Sequence, residues 1–246
     1  MIAGAATDPG KVRSTNQDYY LVENGSKYGL YIVADGMGGH NGGEVASRAS
    51  VLFVKDFIEQ AWDKDEYAAD RPGLVKDALA AANRAVFNLA AKDEQLRGMG
   101  TTLSMAFIVD RMLYTGHIGD SRIYLLRDSQ LIKLTEDHSL VAELIKNGSI
   151  TPEEGDNHPQ KNIITRALGT GIDIESDLSE REMQDGDTIL LCTDGLTNML
   201  SCADILDLCL NIGEPQLLCS RLVAEANNRG GKDNITVIAV KVRWNK

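Results

Sequence analysis

The chain has 246 residues, 43% hydrophobic and 25% charged, enough to bury a sizeable core in one large domain. Its 25 Lys and Arg stand against 36 Asp and Glu, a net charge of −11, and no basic block interrupts the deficit. That balance argues against a nucleic acid or an anionic membrane as partner, and any anionic substrate would have to be met by a local Arg or by bound metal.

The opening residues, MIAGAATDPGK, carry no charged run leading into a long apolar segment, and nowhere do about 18 apolar residues follow one another. YGLYIVAD (28–35) is an apolar strand that ends on Asp35, and Gly36, Gly38, Gly39, Gly42 and Gly43 come directly after it. Residues 44–62 place Val51, Val54, Phe57, Ile58 and Ala61 on one helical face. A second helix starts at Pro72, with Val75, Ala78, Ala82, Val86 and Leu89 at helical spacing.

Four β-rich runs follow between residues 101 and 135, separated by tight polar turns at Asp110-Arg111 and Asp128-Ser129, so hairpins rather than βαβ units are expected. Residues 138–162 break the pattern. A helix stops at Gly148, and Thr151-Pro152-Glu153-Glu154 carries the capping signature of a short successor. The segment reads as a helical, flap-like insertion beside a cleft or as an ordinary surface connection.

The strand DTILLCTD (187–194) precedes two more helices, at 201–212 and 214–228, the first with Ser201 and Asp204 as its cap, and NITVIAVKV (234–242) closes the chain as a strand. The sum is an α+β fold of four layers, two antiparallel sheets stacked face to face with helix pairs outside, over a single domain spanning 1–246. Cys192, Cys202, Cys209 and Cys219 lack C-x-x-C spacing, and three fall on apolar patterns, so buried thiols in a reducing, cytoplasmic compartment are expected.

The arrangement that ends a strand on Asp35 recurs at Asp120 (YTGHIGDS) and Asp194 (TILLCTDG), while Asp233 stands just before the last strand. One Asp-Gly after a strand is an ordinary turn. Several carboxylates gathered at one sheet edge repel one another unless protonated or bridged by cations. An all-oxygen set without a His or Cys cluster suits Mg²⁺ or Mn²⁺. Two such ions roughly 3.5–4 Å apart, sharing one Asp, can activate a water for in-line attack at phosphorus. The glycines are not a nucleotide loop, since Asn41 stands where GxGxxG needs a glycine and no GK[ST] follows.

TDPGKVRSTNQD (7–18), VADGMGGHNGGEVAS (33–47), MGTTLS (99–104), GHIGDSRIYLL (116–126), LTEDHSL (134–140), NIITRALG (162–169), LLCTDGL (190–196) and GKDNITV (231–237) run in order across nearly the whole chain. Together they resemble the type-2C metal-dependent serine/threonine protein phosphatases in their compact bacterial form. The resemblance implies a two-sheet sandwich that hydrolyses phosphoserine and phosphothreonine proteins by direct attack of a metal-bridging hydroxide. It also implies a cognate kinase among its partners. By position, Asp35 bridges two Mn²⁺ or Mg²⁺ ions, the Gly36 carbonyl joins the first, Asp194 and Asp233 hold the second, and Asp120 with Asp194 forms a possible third site.

Arg13 matches the arginine that grips the substrate phosphate, and Asp18 a carboxylate that orients metal-bound water. Two positions depart from the family pattern. Gln17 stands where Glu is frequent, and Met37 replaces the His that eukaryotic relatives use as general acid. His40, three residues on, or metal-bound water is left to protonate the leaving group. His117 and His158 read as structural or surface residues, and a monomer is the default.

Overall fold

The computed structural model describes residues 1–39, 42–156 and 158–244. Its N-terminal part supplies β1 (Ile2–Asp8), β2 (Asp18–Asn24) and β3 (Gly29–Met37), then α1 (Gly42–Ala61), α2 (Asp65–Ala68) and α3 (Arg71–Lys92). Strands β4 (Gly100–Thr101), β5 (Leu103–Val109), β6 (Met112–Ile118), β7 (Arg122–Arg127) and β8 (Gln130–Lys133) follow, and then the short helices α4 (Leu140–Lys146) and α5 (Pro152–Asp156). The remaining elements are β9 (Asp177–Glu182), β10 (Thr188–Cys192), α6 (Asp194–Thr197), α7 (Cys202–Asn211), α8 (Pro215–Asn228) and β11 (Ile235–Lys241).

All strand pairs are antiparallel, in two sheets ordered β1-β11-β10-β7-β8 and β2-β3-β5-β6-β9, with β4 added to β3. Alternation along β3 sorts its side chains between two cores. Leu30, Ile32 and Ala34 pack with Val51, Ile58, Leu74 and Ala78 of α1 and α3, whereas Tyr31 and Val33 meet Ile123, Ile189 and Ile238 of the facing sheet. On the other side Val237 and Ala239 of β11 pack with Leu218 and Leu222 of α8. The expected four layers, helix, sheet, sheet and helix, are present.

Local signals explain most boundaries. Asp70 caps α3 by accepting from the Gly73 N–H at 2.8 Å, which starts that helix one residue before Pro72. Ser201 and Asp204 form the expected capping box of α7, and Thr151 with Glu154 forms the reciprocal pair at α5. The hairpin turns at Asp110-Arg111 and Asp128-Ser129 hold all four residues at positive φ, as tight primed turns demand. Cys192, Cys209 and Cys219 are buried and Cys202 is exposed, with no disulfide among them. Among the described residues no helix is long and apolar enough to cross a membrane.

Three strands were not expected. β1 is rich in Ala and Gly, β2 (DYYLVEN) is mostly half-buried and lacks a clean apolar–polar alternation, and β9 (DLSERE) is exposed throughout with Leu178 its one apolar residue, held by its backbone pairing with β6.

Candidate active site

The seam between the two sheets ends in acid. Asp35 has the same parity on β3 as Tyr31 and Val33, so it continues their row to the end of the seam. Asp18 opens β2 directly opposite Asp35 in the ladder. Asp120 lies between β6 and β7, Asp194 follows β10, and Asp233 precedes β11. In antiparallel sheets these starts and ends fall at one edge, which is how residues far apart in sequence come together.

Hydroxyls fix the backbone around them. Thr102 holds both backbone groups of Asp35, its Oγ1 accepting from the Asp35 N–H at 2.9 Å and its N–H donating to the Asp35 carbonyl at 2.9 Å. Thr193 and Thr236 donate to Asp18 Oδ2 at 2.8 and 2.7 Å, joining the start of β2 to the facing sheet. Asn198 donates to Asp194 Oδ2 at 2.9 Å. Sequence reasoning assigned no role to these four, although Thr102, Thr193 and Thr236 lie within the quoted motifs; the threonines find their partners through the pairing and stacking of strands distant in sequence, whereas Asn198 stands four residues after Asp194.

Burial and mutual repulsion drive the carboxyls of Asp18, Asp35, Asp120 and Asp194 toward the protonated form. Asp35 is pushed well above the ordinary carboxylate range, first by burial and then by Asp18, Asp194, Asp120 and Asp233. Burial pushes Asp18 up to about 7 against the pull of its two threonine bonds, and Asp120 up to about 7 with help from Asp194 and Asp137. Asp194 is raised by burial and by Asp233, while Asp35 and Asn198 beside it pull it down.

The Oδ1 atoms of Asp18, Asp120 and Asp194 are buried without a hydrogen-bond partner. Among the described residues no three carboxylates close on one point tightly enough to cage an ion as they stand. They are nonetheless near enough to raise one another's protonation. Orphaned buried oxygens, mutual repulsion and an all-oxygen donor set fit hard divalent cations.

Arg13 crosses onto this cluster. Its Nε lies 2.9 Å from Asp233 Oδ1, and its Nη2 donates to Asp233 Oδ2 at 3.0 Å, a two-pronged contact. Asn234 pins the loop that carries Arg13, accepting from the Gln17 N–H at 2.8 Å and donating to the Pro9 and Thr15 carbonyls. Gly36 meets Gly43 of α1 backbone to backbone, and a Cβ at residue 36 would lie 2.0 Å from the Gly43 carbonyl oxygen. Glycine there thus serves the packing of helix on strand. His40, expected as a candidate acid, lies outside the described residues. His117 is buried between Ser104 Oγ and the Glu136 carbonyl, and burial pulls it down to about 4.

Beside the acid cluster a cavity of about 900 Å³ reaches from Asp120 and Asp194 to the insertion, where Val141, Lys146 and Lys161 line it.

A family model described as "Protein phosphatase 2C" matches residues 11–222. The chain is 41% identical over 243 residues to protein phosphatase PhpP of Streptococcus pneumoniae, covering 96% of this chain and 95% of that one. It is 39% identical to the serine/threonine phosphatase stp of Listeria innocua, over 98% and 96% of the two chains. Among solved structures, the serine/threonine phosphatase PstP/Ppp of Mycobacterium tuberculosis superposes with a TM-score of 0.89 at 38% identity, over 98% of each chain. A PstP catalytic domain in complex with two manganese ions superposes at 0.85, also at 38% identity and over 98% of each chain. A match of this extent, in sequence and in fold, shows that the chain belongs to the protein phosphatase 2C family.

Proposed function

We propose that this chain is a metal-dependent protein serine/threonine phosphatase whose divalent ions, Mn²⁺ or Mg²⁺, are held by Asp35, Asp194 and Asp233 with the Gly36 carbonyl. Asp120 and Asp194 would hold a third. The observation that carries this reading is the set of carboxyls at the end of the seam, several of them buried and repelling one another, with buried oxygens lacking partners. When bound, the ions supply Lewis acidity at the phosphoryl oxygens and lower the pKa of water.

The chain's own groups do the rest. Arg13, already placed at the cluster by the Asn234 staple, turns its planar fork from Asp233 to the incoming phosphate, a move its half-exposed side chain allows. Asp18 stays anchored on Thr193 and Thr236 and presents Oδ1 inward, where it accepts a hydrogen bond from water. Burial between two sheets keeps bulk water from screening the Asp18 contacts, whereas Arg13 meets its anion at the open side of the site. The general acid is His40 or a water of the site.

The cavity toward the insertion is lined largely by polar and charged side chains, which suits an extended phosphopeptide better than an apolar small molecule. We read 1–246 as one catalytic domain acting as a monomer in the cytoplasm, with residues 138–162 shaping the protein-substrate surface and a kinase of the same cell among its substrates. Phosphate release from a phosphothreonine peptide with Mn²⁺, Mg²⁺ and EDTA tests the assignment. Wild type is expected to be active only with metal, and Asp35→Ala to be inactive throughout. Full turnover in EDTA would refute it, and preference for sugar phosphates over peptides would move the substrate class.

A further inference from the structure

Gly119, the residue before Asp120, has both backbone groups held by His138. The ring Nδ1 accepts from the Gly119 N–H at 3.1 Å, and the His138 N–H donates to the Gly119 carbonyl at 2.7 Å. Gly119 sits at φ +105°, and a Cβ there would come within 2.5 Å of Thr102 Cγ2, so this turn is tight and packed on the residue that brackets Asp35. Thr102 also shares a hydrogen bond of 2.8 Å with Ser121, one residue beyond Asp120. Asp120 is thus held from both sides.

The chemistry of the ring follows from its partners. A backbone N–H can only donate, so Nδ1 must keep its lone pair, and the proton of the neutral ring sits on Nε2. Nε2 faces Asp177 Oδ2 of β9 at 3.2 Å, the shorter of its two contacts, while Arg166 Nη1 lies 3.4 Å from Nε2 and holds Asp177 Oδ1 at 3.3 Å. The His117 ring, fixed by Ser104 and Glu136, lies 4.9 Å away, centroid to centroid. His138 also stands where the insertion leaves the body. Its carbonyl accepts from the Thr165 N–H at 2.9 Å, and the next residue, Ser139, caps α4 and bridges to Ile164.

We propose that His138 is a positioning residue, its Nδ1 lone pair setting the Gly119 turn and thereby aiming Asp120 at the metal cluster from the root of the insertion. The inference rests on Asp120 being a metal-holding residue. Partners one step removed from a metal typically change its affinity by ~10–100-fold when lost.

The two ring nitrogens can be removed separately. In His138→Asn the amide oxygen takes the place of Nδ1, whereas in His138→Gln the amide reaches the place of Nε2 and leaves Gly119 N–H unpaired. Calorimetric Mn²⁺ titration of the full chain reads the effect without turnover. His138→Gln is expected to weaken the Asp120-dependent Mn²⁺ affinity by roughly 10-fold or more. His138→Asn is expected to restore most of it, and His138→Gln to add nothing in an Asp120→Asn background.

If the Gln variant does not fold, His138→Leu, which lacks both nitrogens, takes its place in the same comparison. Equal weakening by Asn and Gln, or losses that add to that of Asp120→Asn, would overturn the proposal. Unchanged Mn²⁺ binding by Asp120→Asn alone would instead remove Asp120 from the metal site, and the proposal with it.

Discussion

Asp120→Asn should stabilise the metal-free protein at pH 8, and by less than half as much at pH 5. Burial and Asp194 raise the Asp120 carboxyl to about 7, against an ordinary value of 3.8. Because its folded-state value is raised, the folded chain binds more protons than the unfolded one between those limits, so the stability it contributes falls as pH climbs from about 4 to 7 and stays low above. At ~1.4 kcal/mol for each tenfold change, the ceiling at pH 8 is on the order of 4 kcal/mol.

Asp194 shares the repulsion and relaxes when Asp120 is ionised, which brings the expected gain to about 2 kcal/mol, or some 4–8 °C in Tm for a domain of this size. The assay is thermal unfolding in EDTA at both pH values. Excess Mn²⁺ should reverse the ranking at pH 8, since the wild type gains ligand-linked stability that the variant partly loses. A Tm in EDTA that is unchanged or lower at pH 8, or raised equally at pH 5, would refute the electrostatic reasoning.

Three further outcomes test other parts of the site. Arg13→Ala should lower kcat/KM on a phosphopeptide by roughly 10- to 100-fold, the worth of a charge-assisted pair, without weakening Mn²⁺ binding, because Asp233 is freed of its ion pair. A fall in Mn²⁺ affinity would place Arg13 in support of the metal site instead. Gly36→Ala should lose about 3 kcal/mol or more by thermal unfolding, since its Cβ would strike the Gly43 backbone, and an unchanged Tm would contradict that contact. Deleting residues 149–158 should reduce turnover of a phosphoprotein more than that of a small aryl phosphate, and equal reductions would deny the insertion a role in protein-substrate recognition.

The strand-end carboxylates were legible because a charge that terminates a fully buried apolar run stands out from its context. Tyr31, Val33 and Asp35 share one parity, so the alternation that marks the seam also carries Asp35 to its edge. The helices were legible through periodicity and caps, as at Asp70 and Ser201. β9 was not, since an exposed edge strand of alternating Ser, Glu and Arg has no apolar pattern and exists by pairing with β6. The hydroxyls on Asp18 were equally hidden, because Thr236 reaches it across 218 positions of sequence through the stacking of two sheets. His138 read as one residue of a motif, and only the turn at Gly119 shows what its ring accepts.

The most direct test of the account is the stoichiometry of Mn²⁺ bound at neutral pH by wild type and by Asp35→Asn. The wild type should bind at least two ions, and the variant, which keeps the side-chain shape but not the shared charge, should lose the tight pair. Retention of both ions by Asp35→Asn would contradict it.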